Sequence, residues 1–270
     1  MKPFIYLIQG QRKLIQSYSW LRANRKDDII CLTYDEPCDG AIFYPNSTWA
    51  QGRNRLLTEA RKQDEYLYYI FCDDDIEFKK GSWKKFEENL LKYRPGIAVP
   101  VFQKTFFNVI KYPKLNCQAF FVNDEQLIAF HRDVVNDNLV LPYQLQYDQV
   151  NWSATCEIQE ILIQNFYPFS SIQFNNIRVR NTCKERYDAH HDNVKSYRKL
   201  VMQWLDSEFR GRYKLTSHYE PPNLHTILFR TGVFLISRAV GKRNYSTGKN
   251  RIKRKLKPGA VLTNQALSAL

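Results

Sequence analysis

Residues 66–78 read Tyr-Leu-Tyr-Tyr-Ile-Phe-Cys-Asp-Asp-Asp-Ile-Glu-Phe. An apolar, aromatic run of strand length ends in three consecutive carboxylates, and apolar residues resume at Ile76 and Phe78. This pattern predicts a buried strand with an acidic tip. In an open α/β sheet the carboxyl ends of the strands line the ligand crevice, so Asp73, Asp74 and Asp75 would stand there on a rigid support. Adjacent carboxylates repel one another, and a divalent cation relieves that repulsion. Hard oxygen ligands suit Mg2+ or Mn2+, which also neutralise phosphate oxygens. The alternative is a solvated acidic turn closing the strand, since Asp is a common turn residue.

The remaining pattern supplies a sheet for that strand to sit in. Apolar runs at 4–8, 28–33, 41–44, 97–102, 117–122 and 126–131 predict further strands, and 171–179 alternates as a half-exposed strand would. Helices are predicted at 14–22, from Ser47 or Thr48 to about Gln63, at 83–93 behind a Ser82 cap, and from Trp152 or Ser153 to Gln164. Trp49, Leu56, Leu57 and Ala60 mark the buried side of the second helix, and Phe86, Leu90 and Leu91 have amphipathic spacing in the third. Strands alternating with helices imply an α/β fold with a mostly parallel sheet. The first strand ends at Gln9-Gly10, which places backbone donors and the Gln9 amide at the sheet edge. Gly52-Arg53-Asn54 falls in the first turns of the second helix, whose free N–H groups and positive dipole end suit a pyrophosphate with an Arg beside it.

Gly52-Arg53-Asn54, Ala60, Tyr66 and a hydrophobic strand ending in Asp73-Asp74-Asp75 together resemble the donor-binding half of GT-A fold glycosyltransferases, in particular those similar to family 2. The resemblance covers residues 4–78 and implies a Rossmann-like mixed, mostly parallel sheet flanked by helices. It also implies a nucleotide-diphosphate sugar donor, most often a UDP-sugar, with Asp73 or Asp74 near the ribose and Asp75 bound through Mn2+ or Mg2+ to the diphosphate. Arg53 and Asn54 would belong to the same donor site, and Gln9, Tyr34 and Asp35, at the ends of the first two strands, would hold the base. Inverting members of the group carry a Glu-Asp pair before the helix that begins here near 152, where this sequence has Asn151-Trp152. Asp148, in a loop that can face the crevice, and Glu157, one turn into the helix, are the nearby carboxylates able to act as general base. GT-A enzymes often take a further metal ligand from a late His, for which His190 or His191 is the candidate; adjacent histidines in a polar loop are as often plain surface residues.

The formal net charge of +13 is unevenly spread. Residues 221–270 hold ten Lys or Arg and no acid, leaving 30 basic against 27 acidic side chains in 1–220. A glycosyltransferase domain over 1–220 and an appendage over 221–270, separated at Pro221-Pro222, follow from that shift. In the appendage, 226–240 places Leu228, Phe229, Val233, Leu235, Ile236 and Val240 on one helical arc, and 242–257 adds eight basic residues. An amphipathic helix followed by a polybasic segment suits an anionic membrane surface, with an acceptor that is a glycan or lipid-linked. A helix packed on the domain's own core with a disordered basic tail is the alternative. The positive charge is not interleaved with aromatic stacking residues, which argues against nucleic acid as the partner. A sugar nucleotidyltransferase is disfavoured because the loop at 9–13 holds one Gly where a glycine-rich turn is usual. Six scattered cysteines with no Cys-x-x-Cys pair, and an N-terminal apolar run too short for a signal peptide, predict a cytoplasmic protein, peripheral on the inner face of a membrane.

Overall fold

A computed structural model describes residues 1–17, 29–102, 116–119, 125–145, 148, 152–167 and 170–182. The chain opens with β1 (Lys2–Gly10), α1 (Arg12–Ser17), β2 (Ile29–Thr33), β3 (Ala41–Phe43), α2 (Trp49–Ala60) and β4 (Tyr66–Asp73). Then come β5 (Ile76–Lys80), α3 (Trp83–Tyr93), β6 (Ile97–Phe102), β7 (Cys117–Ala119), β8 (Leu127–His131), α4 (Arg132–Asp137), α5 (Trp152–Phe166) and β9 (Ser171–Asn181). The nine strands form one sheet in the order β3-β2-β1-β4-β8-β6-β9-β5, with β7 also paired to β9. The parallel pairing expected from strand–helix alternation holds from β3 to β4. Beyond β4 the sheet is mixed: β8 runs antiparallel to both β4 and β6, β6 and β9 are parallel, and β5 and β7 are antiparallel to β9.

Both faces of the sheet are covered, which explains why β1 and β4 are apolar almost throughout. Along β1, Ile5 and Leu7 join a core with Leu56 and Leu57 of α2 and Ile158, Leu162 and Ile163 of α5. The alternate residues Phe4, Tyr6 and Ile8 face the other way, into a core with Ile15 of α1 and Phe86 and Leu90 of α3. Thr48 caps α2 in a capping box with Gln51. That helix ends at Ala60 rather than near Gln63, because its last N–H groups, of Lys62 and Gln63, turn to the i−3 carbonyls of Glu59 and Ala60 at 3.2 Å. Ser82 caps α3 as expected, but Leu91 lies on the solvent side, 45% exposed.

β9 shows the predicted half-exposure only in its second half, where Asn176, Arg178 and Arg180 are half-buried between the buried Ile177 and Val179; Ser171 to Asn175 are all buried. In that first half the alternation is real, but its polar side faces protein. The Ser171 hydroxyl donates to the Tyr167 carbonyl at 2.9 Å and the Gln173 amide to Asn175 at 3.0 Å, so polar residues are satisfied without water. The histidines His190 and His191 and the appendage 221–270 lie outside the described residues.

Arg94, the C-terminal cap of α3, is held at φ 46°, ψ 51°. A left-handed conformation costs a residue with a Cβ about 1 kcal/mol that Gly avoids. Arg94→Gly is therefore expected to stabilise the protein by about that amount and raise its melting temperature by roughly 2–4 °C in a thermal melt.

Candidate functional site

The strand order reverses direction at β1: β2 lies on one side and β4 on the other. A crevice at the carboxyl ends of β1 and β4 follows from that switch point, and Gln9 stands beside Asp73 in register there. Two glycines let side chains close onto this edge. A Cβ on Gly52, in α2, would run into the Gln9 carboxamide, and one on Gly10 would run into the Asp74 side chain. Gln9 is 7% exposed, and among the described residues its Oε1 has no hydrogen-bond partner.

Arg53 is the centre of the site, and it is 1% exposed. Its guanidinium donates to Asp73 Oδ1 and to the Glu125 carbonyl at 2.7 Å each, and to the Tyr143 hydroxyl at 3.4 Å. It lies 4.2 Å from the Trp49 ring centroid, a cation–π distance. Burial works against its charge, but the oxygens of Tyr143, Asp73 and Glu125 outweigh that effect and raise its pKa. Against the sequence expectation of a pyrophosphate ligand, Arg53 is buried and its two terminal nitrogens are engaged by protein groups, with Nε left unpartnered among the described residues.

The three carboxylates have three different environments. Asp73 keeps a side chain 24% exposed beside Arg53. Burial raises its pKa, the charge and hydrogen bond of Arg53 oppose that, Asp75 raises it further and the Trp49 indole lowers it. Asp74 is buried on the α1 side, where its Oδ2 accepts from the Gln11 N–H at 2.7 Å, so it closes the β1 turn instead of facing a ribose. Asp75 sits half-buried in the turn, and its carbonyl accepts from the N–H and hydroxyl of Thr182 at 2.8 and 3.2 Å.

The other predicted site residues are placed as follows. Asn54 exchanges two hydrogen bonds of 2.8 Å with the Tyr143 main chain, so its amide holds a loop. Tyr34 is half-buried after β2, and Asp35 is exposed, accepting from the Arg12 N–H at 2.9 Å. Asp148 is 5% exposed, and its Oδ2 accepts from the Ala50 N–H at 2.8 Å on the first turn of α2. Burial raises its pKa, against the pull of the Thr48 hydroxyl and the Ala50 and Gln51 N–H groups. The N-terminus of α2 is thus filled by a protein carboxylate. Glu157 lies in α5, at a position set by the backbone.

Sequence reasoning missed Glu125 and Tyr143. Both are buried, and the antiparallel β4–β8 pair brings Glu125 next to Asp73 through the bond from the Asp73 N–H to the Gln126 carbonyl, at 2.8 Å. No local signal marks Glu125, because its burial depends on that pairing register. Among the described residues no cluster of three or more His, Cys, Asp or Glu could hold a metal ion. The residues present still fit one in part: Asp73 and Asp75 are hard donors whose mutual repulsion a divalent cation would relieve. Such ions often complete their shell with water or phosphate oxygens.

This architecture is the GT-A glycosyltransferase fold. Among solved structures it is similar to GalNAc-T7, crystallised with UDP, GalNAc and Mn2+, with a TM-score of 0.53 at 10% identity over 94% of this chain. This chain spans 57% of the GalNAc-T7 chain. TarS of S. aureus, crystallised with UDP-GlcNAc, has a TM-score of 0.46 at 12% identity, over 94% of this chain and 92% of its own. No protein-family model matches the sequence, and no curated protein does.

Two outcomes test the site's electrostatics. Arg53→Ala strands Asp73 and Glu125 without their cation, so urea denaturation is expected to show a loss of about 3–5 kcal/mol; adding Asp73→Asn should recover part of it. Asp148 takes up its proton more readily in the folded than in the unfolded chain. The stability it contributes therefore falls as pH rises from the ordinary carboxylate value, about 4, through its raised folded value. Measured across that rise, the wild type should lose stability relative to Asp148→Asn.

Proposed function

We propose that the protein is a metal-dependent glycosyltransferase that moves a sugar from a nucleotide-diphosphate sugar, foremost a UDP-sugar, to a glycan or lipid-linked acceptor at a membrane surface. The observation that carries this reading is the acidic turn Asp73–Asp75 at the carboxyl end of β4, on a strand-order switch point, with its first carboxylate fixed by a buried Arg. The fold neighbour GalNAc-T7 was crystallised with UDP and Mn2+, which supports the same donor class and cation here.

Asp75 and Asp73 would hold the Mn2+ or Mg2+, with His190 or His191 as a further ligand; the cation would supply neutralisation of the departing diphosphate. Thr182 is bound to the Asp75 carbonyl, so the chain leading to those histidines departs from the acidic turn itself. Gln9, whose carboxamide oxygen at the edge of β1 has no partner among the described residues, and the neighbouring Tyr34 would bind the nucleoside. Arg53 and Trp49 orient Asp73. In an inverting transfer a carboxylate takes the proton of the acceptor hydroxyl as it attacks the sugar carbon. With Asp148 spent on α2, Glu157 is assigned that role.

Residues 1–220 form the catalytic unit in this reading, and 226–257 attach it to the anionic inner face of a membrane from the cytoplasm. Among the described residues no helix is long and apolar enough to cross a bilayer.

The test is thermal stability with UDP, GDP and CMP, each with and without Mn2+, beside Asp75→Ala. Saturating nucleotide at a hundred times its Kd should add about 2.7 kcal/mol, a rise of roughly 5–10 °C, only with Mn2+ and only in the wild type. No shift with any nucleotide in the folded protein would refute the donor site.

A further inference from the structure

The loop that runs from Leu141 to Asp148 is fastened to α2 at three levels. Ala50 donates its N–H to Asp148 Oδ2 at 2.8 Å, Arg53 donates to the Tyr143 hydroxyl at 3.4 Å, and Asn54 exchanges two bonds of 2.8 Å with the Tyr143 main chain. The first turn of α2 is also the turn that reaches the acidic strand tip. Gly52 lies against the Gln9 amide, and Arg53 donates to Asp73 at 2.7 Å while its guanidinium lies 4.2 Å from the Trp49 ring centroid.

A general base must bring an oxygen within about 3 Å of the proton it removes. Asp148 Oδ2 is taken by the Ala50 N–H, while Oδ1 is buried and has no hydrogen-bond partner among the described residues.

We infer that Asp148 is a positioning residue: it caps α2 from a loop 98 residues away and thereby steadies the turn that orients Asp73, without carrying a proton in the transfer. This rests on the donor-site reading above, which it deepens. The chemistry of the contact makes it separable from catalysis. An amide at 148 can still accept from the Ala50 N–H through its carbonyl, but it cannot take a proton; a methyl group can do neither.

The test compares Asp148→Asn and Asp148→Ala in the full-length protein. Hydrogen exchange at the Ala50 amide, without ligand, should quicken by about tenfold or more in Asp148→Ala and stay within about threefold of wild type in Asp148→Asn. Affinity for UDP with Mn2+ should fall by about tenfold in the Ala variant and be rescued by Asn. Turnover of the nucleotide sugar should fall by less than about tenfold in the Asn variant. A drop of about 1,000-fold in kcat for Asp148→Asn, with exchange and nucleotide affinity intact, would make Asp148 the base and overturn the inference. Unchanged exchange in Asp148→Ala would overturn it as well. That second arm uses no nucleotide, so it decides the capping role even if the wild type binds no donor at all.

Discussion

The arrangement at the crevice depends on one buried cation. Removing a guanidinium from water costs several kcal/mol even after relaxation, and a buried ion pair seldom adds net stability over apolar residues of the same volume. Arg53 meets that cost with donors directed at Asp73, the Glu125 carbonyl and Tyr143, and with its face on Trp49. What the pair achieves is placement. Asp73 ends a strand, Glu125 precedes another, Tyr143 belongs to a loop, and Arg53 is the point at which all three meet α2. An apolar residue at 53 would pack, but it would fix none of those oxygens.

The helix that carries Arg53 behaves as a bar across the ends of the strands. Its inner side is set by Leu56, Leu57 and Ala60 in the core, and its first turn by the Thr48–Gln51 capping box. Its remaining N–H donors are what an anion would seek, and Asp148 supplies the anion from within the chain. A phosphate is therefore not needed to complete that helix end. Among the described residues, the buried polar atoms without a hydrogen-bond partner near this edge include Gln9 Oε1, Arg53 Nε and Asp148 Oδ1.

Much of this was legible in the sequence, for a physical reason. Strands buried on both faces read as apolar runs, and caps such as Thr48 and Ser82 are local chemistry; so β1, β2, β4, β6, α2 and α3 fall where pattern places them. The Asp73–Asp75 strand tip was legible in the same way. What was not legible depends on partners distant in the chain. Whether Arg53 points to a ligand or to Asp73 depends on how α2 lies on β4. Whether Asp148 faces the crevice depends on a contact 98 residues away. The alternation in the first half of β9 shows the same limit: a polar residue signals hydrogen bonding, not solvent, and Ser171 and Gln173 find their partners in protein.

The acidic triplet shows how identical residues acquire different work. Consecutive side chains at the end of a strand leave on opposite faces. Asp73 follows Phe71 toward α2 and meets Arg53; Asp74 follows Cys72 to the α1 side and accepts the Gln11 N–H. Asp75 falls in the turn, where the β9 end is tied to its carbonyl. The repulsion implicit in three adjacent carboxylates is thus reduced first by separating them and then by one guanidinium, before any metal is considered. What remains is the pair Asp73 and Asp75, in which the charge of Asp75 still raises the proton affinity of Asp73. A cation that binds here has that residual repulsion to relieve, so the chain's own geometry selects which two of the three carboxylates it would meet.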